Sequence, residues 1–112
     1  MKLVTAIIQP DHLDDVQLAL IKYGVRGMTL SEVSGYARQR GHKEVYRGST
    51  YTIDFILKVK LEILCDSDEA GPIVDVIAEA ARTGQVGDGK VWVTDISEVV
   101  RVRTGESGVA AL

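Results

Sequence analysis

The chain has 112 residues, of which 46% are hydrophobic and 26% are charged, and its formal net charge at pH 7 is −3. This length allows one domain with its own core but leaves little room for an enzyme with a deep private pocket. The negative charge gives no general attraction to nucleic acid, and no apolar run reaches the roughly 20 residues that span a bilayer. A single cysteine cannot form an internal disulfide. We therefore expect a cytoplasmic protein without a nucleic-acid partner and without direct membrane insertion.

The first third of the chain predicts a strand, a helix and a second strand. Residues 1–9 are apolar and β-rich, which favours a buried strand, and they lack the features of a secretory signal peptide. In residues 12–23 the apolar positions recur every three or four residues, which predicts an amphipathic helix. Gly24 is a natural stop for that helix. Residues 25–36 are the second strand candidate.

A long polar loop follows, at about residues 37–54. It has almost no apolar periodicity, and a loop of this length in a compact domain is usually functional or mobile. Its cations and tyrosines are Arg38, Arg40, Lys43, Arg47, Tyr46 and Tyr51. It is either a disordered surface loop or a flexible docking arm that becomes ordered on a partner or ligand.

The rest of the chain repeats the strand–helix–strand order. Residues 51–65 alternate apolar and polar side chains as a strand does, and residues 67–82 predict a second helix. Residues 90–94 and 98–103 are short strand candidates. The two halves predict an α+β fold, a ferredoxin-like βαβ–βαβ sandwich that forms one domain over residues 1–112. One sheet face would carry both helices, and the other, partly apolar face favours an oligomer.

The segment 83–90, which reads Thr-Gly-Gln-Val-Gly-Asp-Gly-Lys, is a candidate anion site. Its three glycines let backbone N–H groups approach an anion without obstruction by a Cβ atom, and Lys90 adds a positive charge. It is not a P-loop, because Val91 follows the lysine where a serine or threonine is needed. Taken alone, the segment could equally be a tight helix-to-strand turn with a solvated lysine.

Three further positions could belong to such a site. Arg101 and Arg103 are two residues apart in a strand candidate. Both guanidinium groups would therefore share one face and could bind a triphosphate. Alternatively they form an exposed basic edge. Lys58 lies in an otherwise apolar strand, where it either extends to solvent or pairs with a ligand carboxylate. We expect Cys65 to be a small core residue.

Three segments also carry a family resemblance. Residues 46–51 read Tyr-Arg-Gly-Ser-Thr-Tyr, residues 83–93 read Thr-Gly-Gln-Val-Gly-Asp-Gly-Lys-Val-Trp-Val, and residues 101–106 read Arg-Val-Arg-Thr-Gly-Glu. Together they resemble the signature segments of the PII nitrogen-regulatory signal-transduction proteins, and the resemblance covers the whole chain without an evident gap. It implies a trimer of ferredoxin-like subunits in which ATP and ADP compete for clefts between subunits. It implies a regulator rather than an enzyme.

The resemblance assigns ligand contacts by position. Residues 87–90 would hold the phosphates, and Thr29 with the backbone of residues 62–64 would surround the adenine. The complete set of implied nucleotide contacts is Thr29, Ala37, Arg38, Leu64, Gly87, Asp88, Gly89, Lys90, Arg101 and Arg103. The implied 2-oxoglutarate contacts are Gln39, Gly41 and Lys58, with Gln39 also binding Mg²⁺ and Lys58 pairing with the distal carboxylate. Because the keto acid would chelate the same Mg²⁺ as the triphosphate, the two should bind cooperatively.

The long loop would act on targets. The resemblance implies an ammonium channel, a nitrogen-metabolism enzyme or a modifying nucleotidyltransferase as partner. Tyr51 matches the loop tyrosine that relatives carry as a uridylylation or adenylylation site, and the alternative is an unmodified contact residue. The chain departs from the family pattern at Gln9, Ala37, Thr50 and Leu57. These departures keep open an alternative, a PII-like adenine-nucleotide sensor that has lost its response to 2-oxoglutarate.

Two unrelated functions have weaker support. A small ATP hydrolase would use His42 and Asp88 as acid or base, but no second carboxylate or nucleophile–base pair accompanies them. A metal-binding ferredoxin-like protein would depend on His12, His42 and Cys65, which are few and widely spaced in the sequence. The glycine-rich segment and the arginines favour nucleotide binding over both.

Overall fold

The structure, a computed structural model, describes residues 1–36 and 55–112 of the chain. Within these residues strands and helices follow the order βαββαβ, which confirms the predicted α+β, ferredoxin-like fold. In chain order they are β1 (Lys2–Ile8), α1 (Leu13–Tyr23), β2 (Thr29–Gly35), β3 (Ile56–Cys65), α2 (Ser67–Ala81) and β4 (Gly89–Asp95). Short 3₁₀ turns occupy Pro10–His12 and Gly108–Ala111. Neither helix is long and apolar enough to cross a membrane.

The strands of the described residues form one antiparallel sheet in the order β2-β3-β1-β4. β3 and β1 are therefore central, and β2 and β4 are the two edges. β1 runs from Lys2, which lies beside Asp95 of β4, to Ile8, which lies beside Gly89 of β4. We call these two places the Lys2 end and the Ile8 end of the sheet.

The core lies between the two helices and one face of the sheet. Alternate residues of β1 and β3 point into it because successive side chains of a strand face opposite ways. Cys65 is buried in this core, as predicted. Helix α1 ends at Gly24, which has a φ of 116° and whose N–H group bonds to the carbonyls of the last turn. The largest fully buried side chains are Val4, Ile8, Val16, Leu20, Leu61, Ile63 and Ile77.

The opposite face of the sheet carries no helix and is mixed in character. The alternation of β3 puts Lys58, Lys60, Glu62 and Leu64 on this face. Leu64 is 45% exposed, and Trp92 of β4 is 44% exposed. The second face is therefore partly apolar, as predicted, with charged side chains between the apolar ones.

The predicted strand at residues 98–103 is wrong. In its place the chain reverses direction: the Gly105 N–H group bonds to the Arg101 carbonyl at 2.8 Å, and the Arg101 N–H group bonds to the Glu106 carbonyl at 2.8 Å. A positive φ of 76° at Gly105 permits this reversal, which the β-rich residues before it do not signal. Consequently Arg101 and Arg103 do not lie side by side on one face of a strand.

The other predicted elements agree with the structure to within a few residues. The helix predicted at 67–82 ends at Ala81, and the strand predicted at 90–94 extends by one residue in each direction. The strand predicted at 51–65 is confirmed from Ile56 onward, while residues 51–54 lie outside the described part of the chain. The strand predicted at 25–36 is shorter in the structure and begins at Thr29, because residues 25–28 are irregular. The other differences, of one or two residues at element ends, are within the ordinary scatter of assignment.

Candidate functional site

The glycine-rich segment joins α2 to β4 at the Ile8 end of the sheet. Gly84, Gly87 and Gly89 all have positive φ angles, of 87°, 98° and 113°. A Cβ atom at Gly89 would lie 1.9 Å from the carbonyl oxygen of Ile7 in β1. Glycine is therefore required at this position both for its backbone conformation and for the close approach of two strands.

The carboxylate of Asp88 folds the segment back on itself. It accepts hydrogen bonds from the Thr83 N–H group at 2.7 Å, from the Thr83 hydroxyl at 2.6 Å and from the Gly84 N–H group at 2.9 Å. These bonds, the Thr83 hydroxyl first among them, lower the pKa of Asp88 below its usual value of 3.8. We call this set of bonds the Thr83–Asp88 clasp. The clasp directs the Asp88 side chain toward Thr83 and Gly84 of the same loop.

Two side chains outside the segment donate hydrogen bonds to the carbonyl oxygen of Gly87. Lys58 Nζ of β3 donates to this oxygen at 2.7 Å, and Gln9 Nε2, just after β1, donates to it at 2.8 Å. The structure therefore brings Lys58, which was predicted as a keto-acid contact, directly against the predicted phosphate-binding residues 87–90. Gln9, a departure from the family pattern, belongs to the same cluster.

A cleft opens at the Lys2 end of the sheet. Its volume is about 1080 Å³, and its lining includes Thr29, Glu62 and Leu64. These residues come from β2 and β3, and they are the ones that the family resemblance places around an adenine. The cleft is also lined by Val109 and Leu112, so the last residues of the chain form part of its wall.

Arg101 stands at the rim of this cleft. Its guanidinium donates from Nη1 to the carboxylate of Glu106 at 2.8 Å and from Nη2 to the carbonyl of Leu112 at 3.1 Å. Arg103 is exposed in the neighbouring turn. Arg101 is therefore tied to Leu112, a residue that lines the cleft, and not to the glycine-rich segment of the same chain.

Within one chain the predicted site is divided into two groups. Residues 87–90 and Lys58 lie near the Ile8 end, and Thr29, Leu64 and Arg101 lie near the Lys2 end. Leu3, which lines the cleft, and Ile8 are five residue steps apart in β1, a distance of about 17 Å at the rise of an antiparallel strand. None of residues 87–90 lines the cleft. Within one copy of the chain, these two groups of predicted site residues therefore do not meet.

Several predicted residues cannot be placed. Ala37, Arg38, Gln39, Gly41 and Tyr51 lie outside the described residues, as does the whole loop at 37–54. Tyr36 and Phe55 lie on either side of this loop, and their rings are in contact, with centroids 6.3 Å apart. The roles implied for the residues between them stay predictions.

The sequence did not single out the side chains of Thr83 and Glu106. Thr83 precedes Asp88 by five residues across a glycine-rich turn, and threonine and aspartate are the residue types that cap such turns. That pattern could have indicated the clasp. The Arg101–Glu106 pair has no comparable signal, because it depends on a chain reversal where residues of high β propensity predicted a strand.

Comparison with known proteins identifies the relationship. The profile of the family described as "Nitrogen regulatory protein P-II" matches residues 1–106 of the chain. The chain belongs to the P-II family. Its relatives include the nitrogen regulatory protein GlnK of Escherichia coli strain K12, at 46% identity, and the nitrogen regulatory protein P-II of a Synechocystis species, at 49%. Both alignments cover 112 residues and the full length of each chain.

A solved P-II structure shares the fold. The chain matches the crystal structure of Arabidopsis thaliana PII bound to citrate with a TM-score of 0.81 and 40% sequence identity. The match covers 99% of this chain and 91% of the Arabidopsis chain. Membership of the P-II family confirms the expectation of a nitrogen-regulatory signalling protein rather than an enzyme, so the hydrolase hypothesis is dropped.

The metal-binding alternative gains nothing from the described residues. His12 and Cys65 belong to no group of three or more potential ligand side chains there. His12 instead has its Nδ1 atom 3.4 Å from the carbonyl of Ala81 at the end of α2, and Cys65 lies in the core. His42 lies outside the described part of the chain.

Proposed function

We propose that this P-II family member, as a single domain over residues 1–112, binds ATP or ADP at clefts between the subunits of a trimer in the cytoplasm. With Mg-ATP it also binds 2-oxoglutarate, and the loop at residues 37–54 transmits the result to target proteins. The observation that carries the proposal is the cluster at the Ile8 end, where the Gly87 carbonyl joins Lys58 to the glycine-rich segment.

The nucleotide needs two copies of the chain. The glycine-rich segment and Lys90 of one subunit would hold the phosphates. A neighbouring subunit would supply the cleft at its Lys2 end, where Thr29 and Leu64 surround the base and Arg101 and Arg103 reach the phosphates. The two groups of residues lie at opposite ends of the sheet, which β1 separates by about 17 Å between Leu3 and Ile8, and this supports the arrangement.

2-Oxoglutarate would bind beside Lys58. The ammonium group of Lys58 now donates to a neutral carbonyl oxygen, and a ligand carboxylate would give a stronger, charge-assisted hydrogen bond. Gln39 and Gly41 would complete the site from the loop, with Gln39 also binding the Mg²⁺ of Mg-ATP. The Arabidopsis relative was solved with citrate, a carboxylate ligand, which supports a carboxylate site in this family. ATP and 2-oxoglutarate would then bind cooperatively through the shared metal.

The loop would be the part that targets recognise. Its length, its cations and its tyrosines suit an arm that becomes ordered on a partner. We propose an ammonium channel, a nitrogen-metabolism enzyme or a nucleotidyltransferase as the class of target, and Tyr51 as the residue that such a transferase would uridylylate or adenylylate. Occupancy of the clefts would decide whether the loop docks or releases its target.

A narrower function is favoured by one observation. Gln9 occupies a position where the family often has a cation, and its side-chain amide is already bonded to the Gly87 carbonyl. A neutral residue there weakens the attraction of the site for a dicarboxylate. The second candidate is therefore a sensor of adenine nucleotides alone.

Calorimetry separates the two functions. We expect Mg-ATP to bind to the purified protein, and 2-oxoglutarate to release binding heat only after the protein is saturated with Mg-ATP, because the metal completes the keto-acid site. The matched control is ADP with Mg²⁺, with which the keto acid should give a weaker signal. The absence of keto-acid heat at saturating Mg-ATP would leave the adenine-nucleotide sensor, and the absence of any nucleotide heat would refute both.

A further inference from the structure

The Thr83–Asp88 clasp determines which backbone N–H groups of the glycine-rich segment remain free. Asp88 accepts from the N–H groups of Thr83 and Gly84, and the Thr83 hydroxyl accepts from the Gln85 N–H group at 3.1 Å. The Asp88 N–H group points to the Gln85 carbonyl at 3.4 Å. Within the described residues, the N–H groups at positions 86 and 87 have no such acceptor.

Those two groups are adjacent, in a segment that is exposed at Val86 and partly exposed at Gly87. The side chain of Val86 is 82% exposed, and Gly87 has a φ of 98°. Successive N–H groups next to a left-handed residue form a concave nest that attracts anions. The Gly87 carbonyl is tied to Lys58 and Gln9, so the peptide that follows the nest is also fixed in orientation.

Asp88 is badly suited to be a phosphate ligand itself. Its hydrogen bonds hold its pKa below the ordinary value, so at neutral pH it is a carboxylate, and a carboxylate repels a triphosphate. Its oxygens already accept three hydrogen bonds from the loop. The side chain therefore acts on the ligand through the shape of the loop.

We infer that Thr83 and Asp88 are positioning residues for anion binding, which hold the N–H groups of Val86 and Gly87 in a preformed nest for a nucleotide phosphate. The inference rests on the proposed nucleotide function and adds residues and a mechanism to it. Without the clasp, Gly84 and Gly87 can adopt many conformations, and the ligand would have to order them on binding. Preorganisation removes that entropic cost.

The direction in which one substitution changes the affinity for ATP distinguishes this role from a simple charge effect. Asp88→Asn removes a negative charge near the proposed phosphates, so repulsion alone predicts tighter ATP binding. The clasp predicts the opposite, because a neutral amide oxygen accepts weaker hydrogen bonds than a carboxylate, and the amide NH2 group cannot accept the bond from the Thr83 hydroxyl. We expect Asp88→Asn to bind Mg-ATP about two- to tenfold more weakly than the wild type, the range that corresponds to one typical hydrogen bond.

The second substitution tests the partner of the carboxylate. Thr83→Val keeps the shape of the side chain but removes the hydroxyl, and we expect it to weaken Mg-ATP binding by a similar factor. Thr83→Ser keeps the hydroxyl and should restore most of the affinity. In Thr83→Val the pKa of Asp88, followed by NMR titration of its carboxyl carbon, should rise toward 3.8 because the main bond that lowers it is lost.

These measurements distinguish failure of the positioning role from failure of the proposed nucleotide function. If Asp88→Asn binds ATP more tightly, or if Thr83→Val raises the pKa of Asp88 while ATP affinity stays at the wild-type value, the positioning role is overturned. If the wild-type protein itself binds no nucleotide, the proposed function fails, and the clasp is then tested by the pKa alone as a purely structural bond. Thermal unfolding of each variant shows whether an affinity loss comes from a disrupted fold, and the pKa measurement remains decisive for any variant that stays folded.

Discussion

At the scale of single residues, Gly89 fixes the point where the glycine-rich segment enters the sheet. Its positive φ and its contact with the Ile7 carbonyl leave no room for a side chain. The sequence indicated that glycines in this segment serve backbone approach, but it could not tell approach to a ligand from approach to β1. The structure assigns Gly89 to the second of these, since its neighbour is a strand of the same chain.

Alanine substitutions at two glycines test this assignment. Gly89→Ala should lower the free energy of unfolding by at least about 1–3 kcal/mol, the cost of a strained left-handed residue, before the clash with β1 is added. Gly27→Ala is the matched control: Gly27 lies between α1 and β2, has no positive φ and has open space around it, so alanine there should stabilise the protein by about 0.4–1 kcal/mol. Urea denaturation measures both. Equal stability of Gly89→Ala and the wild type would contradict the close approach.

At the scale of elements, the turn at residues 101–106 is where local pattern and structure disagree. Residues 98–103 have the β-branched composition of a strand, but Arg101 bonds to Glu106 through both its backbone and its side chain. Strand propensity describes a preference for a pleated surface with neighbouring strands, and this segment instead bonds to the following residues 105–112, which fold back on it. β3 and both helices were predictable because each shows a regular apolar period over seven or more residues, and β1 was predictable as a continuous apolar, β-rich run.

The Arg101–Glu106 pair makes a prediction about nucleotide affinity. To reach a phosphate, Arg101 must leave the Glu106 carboxylate and the Leu112 carbonyl, so the internal pair competes with the ligand. Exposed ion pairs contribute up to about 1 kcal/mol. Glu106→Gln should therefore bind Mg-ATP up to about fivefold more tightly than the wild type.

The control for that prediction removes the same charge elsewhere. Asp95 pairs with Lys2 on the surface, and Asp95→Asn changes the net charge by the same amount without touching Arg101. Its affinity for Mg-ATP, measured by the same calorimetry, should match the wild type. A tightening of equal size in both variants would mean that overall charge, rather than the release of Arg101, is responsible.

At the scale of the whole molecule, the division of the site follows from the sheet topology. Local sequence patterns do not indicate that Thr29 and Lys90 belong to opposite edge strands, because strand order depends on long-range pairing. The family resemblance predicted a shared site for these residues, and under the proposed function this topology means that a second copy would have to complete it. The partly apolar sheet face, with Leu64 and Trp92 exposed, is a surface that such a copy could cover.

A mixing experiment tests the shared site most directly. Lys90→Ala removes a phosphate contact from one half-site, and Arg103→Ala removes one from the other. Alone, each variant should lose about 1–3 kcal/mol of Mg-ATP binding free energy, the scale of a charged hydrogen bond. In trimers assembled from equal amounts of both, an intact segment of one chain meets an intact arginine of another at about one quarter of the interfaces.

The decisive measurement is Mg-ATP calorimetry on those mixed trimers, with each variant refolded on its own as the control. We expect a class of sites with wild-type affinity, close to a quarter of the total, to appear only in the mixture. If the mixture binds as the average of the two variants, with no wild-type class, then each chain forms its nucleotide site alone and the division into two half-sites has no functional meaning.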